Sequence, residues 1–148
     1  MAETQGNGFP MNKTMLRAAY VSNSVDSMSP GRAIVALYER LTVDLIRAEQ
    51  AINDADPSTA HECLLHAQSI VTELHDSLDV DNWPGGRNLK DIYVFLLFEL
   101  VGANVDKDAS RVVTCQALVL PLRDAWNEVA GIVTSPGAGA VGPAGGAA

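Results

Sequence analysis

All three histidines of the chain, His61, His66 and His75, fall in one stretch that also holds Glu62 and Cys63. Glu62 and His66 are four residues apart, a spacing that puts two metal-ligand types on one face of a helix. A di-metal site in a helical bundle needs a Glu-x-x-His pair on each of two helices, with further glutamates facing them. No second segment offers that set, so these side chains read as polar residues on a solvated face, and no metal or other cofactor is assigned. Asp79, Asp81 and Asn82 resemble the start of a calcium loop. The glycine and the closing glutamate that such a loop requires are replaced by Pro84 and Lys90, which leaves an acidic turn. Phosphotransfer from a bundle needs one exposed histidine, usually with a lysine a turn later. The lysines are Lys13, Lys90 and Lys107, and none stands in that relation to a histidine. Nucleophile elbows, phosphate-cradling glycine loops and haem-attaching cysteine pairs are also missing from the sequence. The residues point to a protein that is not an enzyme. Cys63 and Cys115 sit at apolar-compatible positions of helical patterns and read as buried, reduced thiols.

Segments able to position side chains emerge from the apolar spacing. A stretch of 148 residues, 47% hydrophobic but 5% aromatic, supports one core built on helices rather than on strands. Ile34, Tyr38, Leu41, Leu45, Ala48 and Ile52 recur in steps of four and three, after a start signal of Ser29 as cap and Pro30 at the first helical position. Asp56 and Pro57 repeat that signal before Ala60, Leu64, Ala67, Val71, Leu74 and Leu78. Residues 79–87, with Trp83, Pro84 and two glycines, form the turn to a helix over about 88–104. A last helix, from 106 or 108 to 133, carries Cys115, Val119, Leu122, Trp126, Val129 and Val133. Pro121 inside it predicts a kink without a break. A short helix over 12–20 or 12–22 precedes the four long ones and is too short to be stable alone.

The expected architecture is therefore all-α. An antiparallel four-helix bundle forms a single domain over 12–134, with a short N-terminal helical segment, a flexible start over 1–11 and a disordered Gly/Ala-rich tail over 135–148. Ten Lys and Arg against 18 Asp and Glu give a formal charge of −8 with no basic stripe, which argues against nucleic acid. No apolar run approaches the ~20 residues that cross a bilayer, and the first residues lack the order of a signal peptide, so a cytoplasmic protein without membrane insertion is expected.

Ordered landmarks along the chain narrow this further. Ala19 and Tyr20 are followed by Ser29-Pro30-Gly31, Leu37-Tyr38 and Ala48-Glu49-Gln50-Ala51-Ile52. Next come 67–74, reading AQSIVTEL, then Leu78-Asp79, Gly85-Gly86, Asn88-Leu89, Ile92-Tyr93, Ala103-Asn104 and Leu122-Arg123-Asp124-Ala125-Trp126. In order and approximate spacing this resembles the FliS family of flagellar export chaperones, over about 20–130. The resemblance implies a cytoplasmic bundle that binds the disordered C-terminal region of flagellin, prevents its premature polymerisation and assists its delivery to the export apparatus, a component of whose gate is then a second partner. Two departures stand out. The chain between Gly86 and Asn88 is shorter than is usual for the family, and Arg17, beside Leu16, stands one turn before Tyr20 where relatives often carry an apolar residue. A generic helical adaptor or dimerisation module is the alternative reading.

Surplus apolar surface supplies the candidate binding residues. The helix over 88–104 is apolar around nearly its whole circumference. At 100° per residue, Ile92, Tyr93, Leu96, Leu100 and Ala103 face the core, leaving Val94, Leu97, Phe98 and Val101 on the far side. Val113, Ala117 and Leu120 form a second stripe on the last helix. With Leu16 and Tyr20 of the N-terminal segment, these are the expected partner-binding positions. The competing expectation is that the 88–104 helix is central and buries both faces. The N-terminal segment, with Met11, Met15, Leu16 and Tyr20, is a candidate cover for an exposed groove.

Overall fold

The structure, a computed structural model, describes residues 30–131. The expected helix over 12–20, Leu16, Tyr20, Val133 and the tail over 135–148 lie outside the described residues. Four helices follow in order: α1 (Pro30–Asn53), α2 (Pro57–Ser77), α3 (Gly86–Asp106) and α4 (Ala109–Val129), with a 3₁₀ turn at Val80–Asn82 between α2 and α3. Short links reverse the chain each time. α1 packs on α2 and α4, and α3 packs on the same two, so the helices close a ring around one core.

Local chemistry sets the boundaries. The Asp56 carboxylate accepts from the Thr59 amide at 3.2 Å, and Pro57 occupies the first turn of α2, where a missing N–H costs no hydrogen bond. Asp108 caps α4 in the same way through the Ser110 amide, at 2.9 Å. Hydrogen bonding to the ionised form holds both carboxyls below their usual value of 3.8.

Two expected boundaries are corrected. The third long helix begins at Gly86, not near Asn88, because Gly85 serves as its N-cap and the following glycine lets the chain pass close to the 3₁₀ turn. A Cβ on Gly86 would stand 2.9 Å from the Val80 Cα. The last helix ends at Val129, not at Val133: Ala130 caps it, and Gly131 adopts a φ of 76°, a left-handed geometry that stops helices. α4 runs unbroken through Pro121.

The seams read from sequence are the core. Tyr38, Leu41, Leu45 and Ala48 of α1, Ala60, Leu64, Ala67, Val71 and Leu74 of α2, and Cys115, Val119 and Trp126 of α4 are buried together with Leu89, Tyr93, Leu96, Leu100 and Ala103 of α3. Tyr38 and Tyr93 meet hydroxyl to hydroxyl at 2.7 Å across the bundle, which satisfies two polar atoms that burial would otherwise penalise. The Tyr38 ring also stacks on Trp126, centroids 6.4 Å apart, and burial pushes its phenol above the ordinary range. Both cysteines are buried and free.

Candidate partner-binding surface

Contrary to the competing expectation, α3 does not bury both of its faces. Its inner face, Leu89, Tyr93, Leu96, Leu100 and Ala103, is buried, and its outer face stays open: Val94 is 53% exposed, Phe98 68% and Val101 48%. Leu97 differs from the other expected members. It is half-buried and packs against the core. Phe95 and Val105, which the angular reading left unassigned, are also exposed, Val105 at 77%.

The register against α2 follows from one polar contact. Asn104 Nδ2 lies 3.0 Å from His61 Nδ1. One turn back along α3 is Val101, and one turn on along the antiparallel α2 is Leu65, which is also exposed. The apolar surface of α3 therefore continues across its seam with α2 through Leu65. No sequence pattern marked Leu65, because it lies off the α2 core seam and its meaning depends on which helix stands beside it.

The stripe expected on α4 is exposed at Val113, Ala117 and Leu120. It does not join the α3 stripe. Gln116 Nε2 donates to Glu49 Oε1 at 2.9 Å, fixing α4 against α1. Leu120, a turn after Gln116, is thus level with Ile46, a turn before Glu49, and Ile46 and Val43 are exposed too. One apolar surface lies at the α2–α3 edge of the ring and the other at the α4–α1 edge, on opposite sides of the bundle.

The histidines are engaged locally. His66 hydrogen-bonds the buried carboxylate of Asp44, which also has the Arg40 guanidinium 3.6 Å away, and His75 contacts Asp76 at 2.9 Å. Asp44 escaped the sequence reading, since a buried carboxylate looks the same in a sequence as a surface one. Among the described residues no three His, Cys, Asp or Glu side chains are grouped to hold a metal ion, and no helix is long and apolar enough to cross a membrane. What the geometry offers among the described residues is exposed apolar area with few polar landmarks.

The described residues form a four-helix bundle with an exposed apolar face on its third helix. The family described as flagellar protein FliS matches residues 11–133, and the chain belongs to that family. It is similar to the flagellar secretion chaperone FliS of Bacillus subtilis (strain 168), 31% identical over 110 residues, covering 74% of this chain and 82% of that one. Similarity extends to the flagellar secretion chaperone FliS of Salmonella typhimurium, at 27% identity over 113 residues and the same two coverages.

Proposed function

We propose that the chain is a flagellar export chaperone that binds the C-terminal region of flagellin in the cytoplasm, prevents its premature polymerisation and assists its delivery to the export apparatus. The observation that carries this reading is the open outer face of α3. Leaving a large apolar side chain in water forgoes about 1.5 to 3 kcal/mol relative to burying it, so several in a row favour a partner that covers them. Family membership and the two named relatives support the choice of a flagellar client. Val94, Leu97, Phe98 and Val101 take the first amphipathic turns of the client. Val113, Ala117 and Leu120 serve a separate stretch of it, since no single straight helix reaches both edges of the ring. Leu16 and Tyr20 contribute from the N-terminal segment, which is also the candidate cover for the groove. A component of the export gate is the second partner.

A segment that is disordered alone and helical when bound gives a distinct thermodynamic signature. Titration of the chain with the C-terminal segment of flagellin from the same organism should show binding at tens of micromolar or tighter, with a negative heat-capacity change. Absence of binding with both components intact and soluble rejects the reading. A chain that instead sediments as a dimer, and loses dimerisation on Phe98→Asp, supports the dimerisation module.

A further inference from the structure

Glycine inside a helix is unfavourable by about 1 kcal/mol relative to alanine, so Gly102, within α3, calls for a physical reason. That reason comes from the next helix. The guanidinium of Arg111, in the first turn of α4, fills the space a side chain at 102 would take: its Nη1 is 1.2 Å from where a Cβ on Gly102 would stand. Gly102 follows Phe98 by four residues and precedes Val105 by three, so all three share one strip of helix surface. Phe98 and Val105 are the two most exposed large apolar residues among those described. Arg111 thus lays a cation into a notch at the border of the apolar stripe.

This cation has unused donors. A guanidinium carries five N–H groups, and the ion-pair partner of Arg111 among the described residues is Glu99, with Nε to Oε1 at 3.8 Å, too long for a hydrogen bond. The side chain is 34% exposed. Arg40 and Arg123, by contrast, are engaged with Asp44 and Asp124 on their own helices. Planar, held in place by the notch and facing water, Arg111 is arranged to accept a carboxylate in bidentate fashion.

We propose that Arg111 determines specificity at this surface by receiving one Asp or Glu carboxylate of the bound segment, at a position bordering that segment's apolar stripe. The inference rests on the reading that the α3 face binds the flagellin segment. A helical segment bonds its own backbone carbonyls internally, which leaves side-chain carboxylates as its available strong acceptors. The chain as a whole is acidic, at −8, and repels acidic segments, so a single fixed cation selects for one acid at one register.

The test is calorimetry of the full chain against a synthetic peptide of the flagellin C-terminal region, at two ionic strengths, with Arg111→Gln, Arg111→Lys and peptides in which each acidic residue is changed in turn to its amide. Arg111→Gln should weaken binding about tenfold and flatten its salt dependence, and Arg111→Lys should recover part of the loss. One amide peptide should show the same loss against the native chain and no further loss against Arg111→Gln. Equal binding by native chain and folded Arg111→Gln overturns the inference while leaving the reading of the α3 face intact. If Arg111→Gln does not fold, the peptide series on the native chain decides: no amide substitution weakening binding overturns it as well. Failure of the parent peptide to bind the native chain removes the reading and this inference together.

Discussion

Phe98 offers the cleanest separation of binding from folding. The residue is 68% exposed, so roughly two-thirds of its apolar area remains for a partner to cover. Full burial of a phenylalanine is worth about 1.5 to 3 kcal/mol, and two-thirds of that is about 1 to 2 kcal/mol, or roughly 5- to 30-fold in Kd. On the folding side, the covered third contributes about 0.5 to 1 kcal/mol, and alanine's better helix propensity offsets much of it. Phe98→Ala should therefore leave thermal unfolding, followed by circular dichroism, within about 4 °C of the native chain. In calorimetry against the flagellin segment it should weaken binding by the factor just given. Phe98→Asp should weaken binding more, since it places a charge in the interface that the bound state must desolvate. Native affinity with an unchanged melting temperature refutes the placement of the partner on α3. A melting temperature that falls by more than about 10 °C refutes the other half, by showing that Phe98 is packed.

Other sites respond differently. Trp126, buried beside Tyr38, should behave as a folding residue: Trp126→Ala should cost about 3 to 5 kcal/mol in denaturant unfolding, and any loss of binding should track loss of fold. Burial pushes the Cys115 thiol up to about 12, with the Glu99 charge adding to the shift, so thiol reagents at pH 8 should modify it only as fast as the chain opens; rapid labelling of native protein would contradict its placement. Deleting residues 1–18 should tighten binding of the flagellin segment and increase dye-detectable apolar surface, because a cover docked on the groove reduces apparent affinity to the fraction of time the groove is open. Equal or weaker binding with an unchanged melting temperature rejects the cover.

The core was legible wherever apolar residues repeat in steps of three and four, because that pattern is a property of the helix itself. Tyr38, Leu64 and Trp126 needed no knowledge of their neighbours. In sequence Trp83 reads as part of a turn, yet it is buried, packed so closely that a Cβ on Gly85 would come within 2.9 Å of its ring. A large aromatic in a chain with few of them was the available signal, since leaving an indole in water is unfavourable. The start of α3 was misplaced because glycines read as breakers, whereas here Gly85 caps the helix and Gly86 admits Val80. The outer face of α3 follows from angles alone, but Leu97 is half-buried against the core, which the angles do not reveal. Two features had no sequence signature: the separation of the α3 and α4 stripes, fixed by how α1 and α2 flank them, and the fit of Arg111 into the Gly102 notch. Each is a relation between helices, and a single strand of residues does not encode which helix stands beside which.

The central claim is that a flagellin segment covers the outer face of α3, and methyl NMR of the full chain tests it directly. On addition of the segment, the methyl signals of Val94, Leu97, Val101 and Val105 should shift strongly, while those of buried Val71 and Val119 should move little. Shifts confined to Val43, Ile46 and Leu120 at the α4–α1 edge, with the α3 signals unmoved, would contradict it.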